Sequence, residues 1–309
     1  MVNSKRWGKS FVDRRNWVQY NEELVLRGCF LLELEWAKNW KRELGRMNKN
    51  KVGRPYRFPE SLIQLQAVWN QFMGVRQVEG KTRKVFEFGK IPQFNDYSTI
   101  NRRVRKLGTV LKIPKTGTFT VICDGSGMKM NDGGEYRHDL YGRKKKRWIR
   151  VKIMVDAKTK KLLDCSVDLV GKGMTEPKTA IAQLEKLLGK GFKIEKFLGD
   201  GGYDTNDLFN YLEEHGIESV IPVQENARID FEKSKRRAQE ILQRKNLTWK
   251  KWARKKNYGK RWNVEGHFSA IKRVFGEKTR AKTPQNMILE VERRFWAYEE
   301  MKEYATGQI

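Results

Sequence analysis

The first 116 residues carry apolar side chains at helical spacing. One stripe runs from Leu24 to Trp36 and a second from Leu62 to Phe72, both in steps of three and four residues. Gly53 and Pro55 interrupt the pattern between them. Asp96 precedes a further segment with the sequence of a capped helix start. We therefore predict an all-helical domain over residues 1–116.

Short apolar runs and helical patterns alternate in the rest of the chain. They predict strands at 119–123, 149–157, 161–169, 192–198 and 217–223, and helices at 176–188 and 206–215. The second and third strands would form a hairpin, because only residues 158–160 separate them. Strands mixed with crossover helices indicate an α/β domain over residues 117–309, built as a mixed sheet flanked by helices.

A strongly basic segment at about 223–257 interrupts this alternation. Residues 223–261 hold 14 basic and 4 acidic side chains, with Trp249 and Trp252 among them. Basic and aromatic side chains together suit a DNA strand, through phosphate neutralisation and base stacking. The alternative is a solvated helical insertion. We favour DNA contact, here and at the run of Arg and Lys over residues 143–147, with Trp148 and Arg150 beside it.

The overall charge also points to nucleic acid. The chain has 65 Lys and Arg against 37 Asp and Glu, a net charge of +28 that a polyanion would neutralise. Arg102 and Arg103, on the predicted helix after Asp96, could contact phosphates or belong to a solvated basic face. An anionic membrane surface is the weaker candidate partner, and no apolar stretch is long enough to span a membrane.

The cysteines and the basic residues near the N-terminus indicate the cellular compartment of the protein. Cys29, Cys123 and Cys165 are far apart and odd in number, which predicts neither a disulfide framework nor a CxxC zinc site. The basic residues at the beginning of the chain lack the apolar core of a secretion signal. We expect a cytoplasmic protein associated with the nucleoid.

Two aspartates follow predicted strands. Asp124 comes directly after the strand at 119–123, Asp200 follows the strand at 192–198, and glycine follows each aspartate. Carboxyl ends of strands are where α/β sheets place their sites, and glycine allows a ligand to approach the backbone. Asp-Gly is also a common turn dipeptide, so either aspartate could be purely structural.

Glu265 lies on a predicted helix with three other polar residues on one face. At 100° per residue, Tyr258, Arg261, Glu265 and Lys272 fall within about 60° of one another. A separate apolar stripe consists of Val264, Phe268, Ile271 and Phe275. The helix could therefore pack on the sheet and direct Glu265 along its margin. Alternatively, Arg261 and Glu265 are an ordinary surface pair.

Asp124, Asp200 and Glu265 together offer hard oxygen ligands, which suit Mg²⁺ or Mn²⁺ rather than zinc. Two such ions can activate a nucleophile and stabilise the leaving oxygen of a phosphodiester. Competing chemistries have little support. The sequence has no P-loop, HExxH or GxSxG motif, and its three histidines lack metal-site spacing.

These residues resemble the signature of DDE transposases from bacterial and archaeal insertion sequences. Tyr258, Arg261, Glu265 and Lys272 have the spacing of the Y-R-E-K signature. The regions of the two catalytic aspartates resemble residues 123–128 and 198–205. The leading region of the insertion sequence 5 family, in the insertion sequence 4-like superfamily, resembles residues 16–28, 53–58 and 96–107. The resemblance spans nearly the whole chain.

The resemblance implies a ribonuclease-H-like catalytic domain, preceded by a helical domain that recognises DNA ends, oligomerises, or both. Asp124, Asp200 and Glu265 would be the catalytic residues and would bind two Mg²⁺ or Mn²⁺ ions. The enzyme would bind terminal inverted repeats, as a homodimer on double-stranded DNA. It would cleave the transposon ends and join their 3′ ends to target DNA.

The resemblance also implies supporting roles. Tyr258, Arg261 and Lys272 would position the transposon end or its phosphates. Tyr203 and Asp204 would belong to the region of the second aspartate, and the place of Asp204 at a helix start favours a cap.

Two other functions stay open from the sequence. A catalytically silent DNA-binding protein, derived from a transposase, would need only the basic charge and the capped helix near Ser98. A ribonuclease-H-like nuclease would share the three carboxylates but would cut without inverted repeats and would not join ends.

Overall fold

The computed structural model describes residues 3–6, 9–12, 15–109, 111–113, 117–131, 148–224 and 226–307. The chain divides into two compact units. The first comprises Met1–Leu107 with Ala297–Ile309, and the second comprises Gly108–Trp296. The basic run at 143–147 lies outside the described residues. The functional division at residue 116 stays a prediction.

Helices dominate the first unit, as the apolar spacing predicts. They are α1 (Trp17–Cys29), α2 (Trp40–Asn48), α3 (Glu60–Phe72), α4 (Val75–Glu87) and α5 (Tyr97–Lys106), with 3-10 turns at Phe30–Leu32 and Glu35–Asn39. The prediction of an all-helical part misses one antiparallel strand pair, β1 (Asn3–Arg6) and β2 (Lys9–Val12). Strands of four residues are too short to produce a clear alternation of apolar and polar positions.

The core of the first unit is built on α3. Its side chains Leu62, Ile63, Val68 and Trp69 are almost fully buried. Gln66 on the same helix is buried as well, and its amide donates to Thr82 of α4 and exchanges hydrogen bonds with Asn95. Since a buried amide without partners is costly, this network specifies how the helices of the first unit pack.

Helix α5 begins at the cap that the sequence predicts. The Asp96 carboxylate accepts the backbone N–H groups of Ser98 and Thr99, both at 2.9 Å. Hydrogen bonds from the Ser98 hydroxyl and from Thr99 hold the pKa of Asp96 well below its ordinary value. The cap fixes the start of the helix that carries Arg102 and Arg103.

A five-stranded mixed sheet forms the centre of the second unit. Its strands are β3 (Thr118–Lys129), β4 (Trp148–Asp156), β5 (Leu162–Leu169), β6 (Lys193–Leu198) and β7 (Glu218–Val220). The spatial order is β5-β4-β3-β6-β7. Strands β3, β4 and β5 pair antiparallel, whereas β6 and β7 continue the sheet parallel to β3.

Helices flank this sheet. They are α6 (Glu176–Leu188), α7 (Asn206–Glu214), α8 (Lys235–Lys245), α9 (Trp249–Lys255) and α10 (Trp262–Phe275), with 3-10 turns at Gly201–Tyr203 and Tyr258–Arg261. The last helix, α11 (Pro284–Ala305), belongs to the second unit up to Trp296 and to the first unit from Ala297. Leu184 of α6 and Phe209 of α7 share one buried cluster with Val121 and Phe197 of the sheet. The apolar stripe of α10 lies outside that cluster, and α10 contacts β3. The sheet thus has the ribonuclease-H-like arrangement that the resemblance implies.

The basic segment folds as α8 and α9, and it is anchored to the edge of the sheet. Arg236 donates to Ser219 of β7 at 3.4 Å. Lys256, just after α9, bonds Glu240 of α8 at 2.7 Å and approaches Glu218 of β7 at 3.9 Å. Side chains from this segment therefore restrain the edge strand β7. None of the described helices is long and apolar enough to cross a membrane.

Candidate active site

Sheet register brings the two aspartates side by side. Strands β3 and β6 run parallel, and Ile122 is the register partner of Leu198. Asp124 and Asp200 each lie two residues beyond this pair. Because parallel strands advance together, both carboxylates lie just beyond the point where the pairing of β3 with β6 ends.

The prediction that the first strand ends at residue 123 is wrong. β3 continues to Lys129, and Asp124 pairs with Ile153 of β4 inside an antiparallel ladder. Only the parallel pairing with β6 stops before Asp124. The polar, glycine-rich residues 124–127 read as a turn in isolation, whereas the hydrogen bonds of β4 keep them extended.

Asp200 initiates the 3-10 turn Gly201–Tyr203. Its carboxylate accepts the backbone N–H of Gly202 at 2.8 Å. The Tyr203 ring packs so closely on Gly199 that a Cβ there would lie 2.8 Å from the ring. Tyr203 is buried against Phe197 of β6. This packing fixes the turn that presents Asp200.

Glu265 projects from the first turn of α10 and meets Asp124 through Arg261. The Arg261 guanidinium donates from Nη2 to Glu265 Oε1 at 2.7 Å, and its Nη1 lies 3.5 Å from Asp124 Oδ2. The Arg261 side chain is only 13% exposed. An ordinary surface pair does not describe this arrangement, because one buried guanidinium connects carboxylates from a strand and a helix.

A cleft of about 580 Å³ opens beside these carboxylates. It is lined by Asp124, Gly125, Ser126, Glu265, Phe268, Ser269, Lys272, Arg273 and Glu277. Lys272 and Glu265 therefore share one surface, as the helical spacing predicts. The predicted apolar stripe of α10 is confirmed, since all four of its members are buried.

The angles predicted for Tyr258 and Arg261 change, because both lie in a 3-10 turn before α10. Tyr258 is buried in a cluster with Trp249 and Trp252, whose ring centroids lie 5.4 and 5.3 Å from its own. Burial, opposed by Arg261 and reinforced by nearby carboxylates, raises the pKa of Tyr258 to about 12. The phenol is therefore neutral at physiological pH.

The two tryptophans of the basic segment differ in exposure. Trp252 is 1% exposed, so it offers no face to DNA, and the prediction that it stacks on DNA does not fit the structure. Trp249 is 44% exposed and lies beneath the Arg244 guanidinium. Trp262, which the sequence argument did not single out, is 64% exposed and lies next to Arg261. Composition alone cannot tell a stacking ring from a core ring.

The two candidate arginines of α5, in the first unit, also differ. Arg102 is exposed. Arg103 is half-buried, donates to the carbonyl of Phe58 at 3.3 Å, and lies over the Tyr56 ring. The structure thus gives Arg103 a role in holding the segment before α3, and leaves Arg102 available for a ligand.

Asp204 does not cap the following helix, contrary to the sequence argument. Thr205 is the cap, and its hydroxyl accepts the Leu208 N–H. Asp204 is fully buried and pairs with Arg237 of α8 through two bonds, of 2.6 and 3.1 Å. The basic segment is therefore joined directly to the loop that carries Asp200.

Glu176 was not among the candidate residues, whereas Arg150 was a candidate for DNA contact. Glu176 lies in the first turn of α6, and its carboxylate pairs with Arg150 of β4. A Cβ on Gly125 would collide with this carboxylate, which places it directly against the residue after Asp124. The helix start was predictable, but no local pattern indicates that it faces another strand.

The electrostatics of Asp124 reflect these neighbours. Burial raises the pKa of Asp124 to about 6. The N–H of Gly125 and the charge of Arg261 oppose this rise, whereas the negative charges of Asp200 and Glu176 add to it. Asp124 is therefore harder to ionise than an ordinary aspartate, and a further positive charge beside it favours the ionised form.

This shift predicts a pH dependence of stability. The folded protein holds the Asp124 proton up to about pH 6, whereas the unfolded chain releases it near 3.8. The folded state binds more protons in this window, so the contribution of Asp124 to stability falls as pH rises from about 4 to 6. We expect Asp124→Asn to gain stability relative to the wild type over the same range. Urea unfolding of both proteins in EDTA, at several pH values, measures the difference. A difference independent of pH contradicts the assignment.

The donor chemistry fits hard divalent cations. Within the described ranges, no group of three or more His, Cys, Asp or Glu side chains is arranged so that it could hold a metal ion. The Arg261 guanidinium nevertheless bridges Asp124 and Glu265, so this pair accepts a positive charge between them. Carboxylates of this kind are the ligands that Mg²⁺ and Mn²⁺ prefer.

Comparisons with known proteins agree with this geometry. Two family models, both described as a transposase DDE domain, match residues 110–299 and residues 25–133. No curated protein matches the chain. The first match covers more than half of the chain and includes Asp124, Asp200 and Glu265. The chain therefore belongs to the transposase DDE domain family.

Proposed function

We propose that the protein is a DNA transposase of the insertion sequence 5 family. It binds terminal inverted repeats, cleaves the transposon ends and joins the 3′ ends to target DNA. The observation that carries the proposal is the Arg261 bridge between Asp124 and Glu265. Asp124 and Glu265 are far apart in sequence and line one cleft. Asp200 is related to Asp124 by the parallel register of β3 and β6.

Asp124, Asp200 and Glu265 are the proposed catalytic carboxylates and would hold two Mg²⁺ or Mn²⁺ ions. Bound there, the ions would activate the attacking oxygen and stabilise the leaving oxygen of a phosphodiester. Asp124 is largely buried, so little water screens the electrostatic interactions of its carboxylate. Lys272 lines the same cleft and is placed to hold a DNA phosphate there.

Arg261 has a double role in this proposal. Its guanidinium balances the carboxylates in the absence of metal, and it is a planar donor that suits a phosphate. Burial raises the pKa of Tyr258 to about 12, so its phenol is a neutral hydrogen-bond donor. Together with Glu265 and Lys272, these residues form the proposed Y-R-E-K signature.

The DNA surface extends beyond the cleft in this proposal. The net charge of +28 favours a polyanion as substrate. Exposed Trp249, with Arg244 above it, offers an aromatic face bordered by positive charge. We propose that a homodimer assembles on the two ends, and that it acts on the DNA of the nucleoid.

Arg102 and Arg103 provide a matched pair for testing end recognition. We expect Arg102→Ala to weaken binding of end DNA and to reduce the slope of log affinity against log salt by about 1, since one phosphate contact is lost. Its stability should match the wild type, because Arg102 is exposed. We expect Arg103→Ala to lower stability, because it breaks the contact with Phe58. Filter binding at several salt concentrations and urea unfolding separate the two. If the two variants change DNA binding and stability equally, the proposed difference between Arg102 and Arg103 is wrong.

A plasmid assay tests the proposed function. The plasmid carries the DNA flanking the gene and is incubated with purified protein and Mg²⁺. Cleavage at paired inverted repeats, with joined products, supports a transposase. Binding without cleavage at any Mg²⁺ or Mn²⁺ concentration supports a silent DNA-binding protein instead. Cleavage that ignores the repeats and joins no ends supports a nuclease.

A further inference from the structure

Helix α1 exposes a row of apolar side chains. Val18 and Val25 are 81% and 59% exposed, and Leu32, in the 3-10 turn after the helix, is 63% exposed. Trp17 and Leu24 beside them are exposed as well. Both sets recur every seven residues, about two helical turns, so each set forms a line along the helix and the two lines are adjacent. We call these five residues the α1 stripe.

The opposite face of α1 attaches the helix to the first unit. Arg27, about 160° around the helix from Val25, donates to the Tyr298 hydroxyl at 3.2 Å and lies over its ring. The Phe30 ring, just after the helix, lies 5.4 Å from that of Tyr304. Since these contacts are on the side away from Val25, the fold holds the α1 stripe facing outward.

The spacing of the α1 stripe suits another helix. Apolar residues that recur every seven positions are typical of helices that pack lengthwise on each other. Gly28 lies beside the stripe, and a Cβ there would meet no atom within 4 Å. The backbone at Gly28 is therefore open to close approach by a neighbouring helix.

The charge of α1 disfavours DNA as the partner and favours a second copy of the chain. Residues 16–26 contain Glu22 and Glu23 and no Lys or Arg, whereas four of the ten residues of α5 are basic. DNA or an anionic membrane surface gains no attraction from such a helix. A second copy, with its net charge of +28, is repelled by the basic faces and is complemented here by exposed Glu22.

We propose that two copies of the chain associate through the α1 stripe, with the stripe of each copy packed against that of the other. The proposal rests on the homodimer of the proposed function and assigns a surface to it. A two-fold contact needs one patch that is complementary to itself, and an apolar stripe without positive charge meets that need. The contact would bring together two catalytic units, one for each transposon end.

Sedimentation velocity of the full-length protein, purified free of nucleic acid, tests the proposal. The wild type is compared with Val25→Asp and with Val52→Asp as the matched control. Val52 is 95% exposed and lies between α2 and α3, so the same charge enters the same unit outside the stripe. We expect the wild type and Val52→Asp to form dimers with equal dissociation constants.

Val25→Asp should raise the dissociation constant of the dimer at least about 100-fold, because the contact would bury two carboxylates among apolar side chains. A wild type that stays monomeric at every protein and salt concentration overturns the proposal. An unchanged dissociation constant for Val25→Asp overturns it as well.

Salt separates an apolar contact from one bridged by ion pairs. Raising the NaCl concentration screens the repulsion between two positively charged chains, so the wild-type dimer should become tighter or stay unchanged. A dimer held by ion pairs would dissociate under the same conditions. Dissociation of the wild-type dimer by salt therefore contradicts association through the α1 stripe.

Circular dichroism and urea unfolding establish whether each variant folds. Val18→Asp, at the most exposed member of the stripe, repeats the sedimentation test if Val25→Asp does not fold. If neither variant folds, the stripe packs within the chain itself and the proposal is wrong.

End DNA distinguishes failure of this inference from failure of the proposed function. We expect Val25→Asp to bind a single end like the wild type and to lose joining of paired ends together with the dimer. If the wild type joins paired ends and Val25→Asp remains a dimer, only the assignment of the surface to α1 is wrong. If Val25→Asp is monomeric but the wild type cleaves no inverted repeats, the surface stands and the proposed function is wrong.

Discussion

Glu265→Gln is expected to lose cleavage of transposon ends by at least about 1,000-fold, or about 4 kcal/mol in activation free energy. The amide keeps the size of the side chain but removes the negative charge that binds a dication. Binding of end DNA should persist, because the change does not remove a positive charge. Asp124→Asn and Asp200→Asn should behave alike, since the sheet register places both carboxylates at the same edge. Single-turnover cleavage of labelled end DNA and gel-shift titration measure the two quantities.

Glu277→Gln is the matched control for this series. Glu277 lines the same cleft and is half-exposed, and it pairs with Lys129 at the end of β3. The same substitution there should leave cleavage within a few-fold of the wild type. Normal cleavage by Glu265→Gln would remove Glu265 from the catalytic set, and equal losses in both variants would point to a general charge effect of the cleft.

Asp204→Ala is expected to lower the free energy of unfolding by about 3–5 kcal/mol, because it leaves a mostly buried guanidinium without its partner. The Asp204 side chain is 0% exposed and accepts two bonds from Arg237. It also accepts the backbone N–H of Gln224 at 3.1 Å. The substitution therefore removes the contacts that join the loop after Asp200 to α8 and to the segment after β7. Urea unfolding followed by circular dichroism measures the change.

A surface pair and a double variant control this measurement. Asp230 pairs with exposed Lys233 three residues away, and Asp230→Ala should cost much less stability than Asp204→Ala. The variant that combines Asp204→Ala with Arg237→Ala should cost less than the sum of the single changes, because no charge is then left unpaired. Additive costs would show that the two side chains do not stabilise each other.

Local pattern was sufficient where one helix face or one strand face is buried. The helix at Glu176–Leu188 begins and ends where the apolar spacing predicts, because its buried face packs on the sheet. The stripe of α10 and the cap at Asp96 follow from the same kind of short-range rule. The first strand was predicted too short, because polar residues after Asp124 are held extended by a neighbouring strand.

In the candidate site, too, local pattern predicted some residues correctly, whereas the roles of others depend on distant segments. Motif spacing alone indicated Asp124, Asp200 and Glu265. It did not separate buried Trp252 from exposed Trp249, since both lie in one basic helix. It assigned Asp204 to a cap, although its partner Arg237 lies 33 residues further on. Long-range pairs of this kind leave no periodic signal.

The sequence by itself thus determined most of the helices and strands between residues 16 and 223, the positive charge and the family signature, because each depends on residue type and local spacing. Tertiary structure alone decided which charges are buried together. The sheet register aligned Asp124 with Asp200, and the packing of α10 brought Arg261 between Asp124 and Glu265. The turn into α6 placed Glu176 against Gly125. Contacts between distant segments depend on how layers pack, and the free energy of a buried charge depends on all of its neighbours at once.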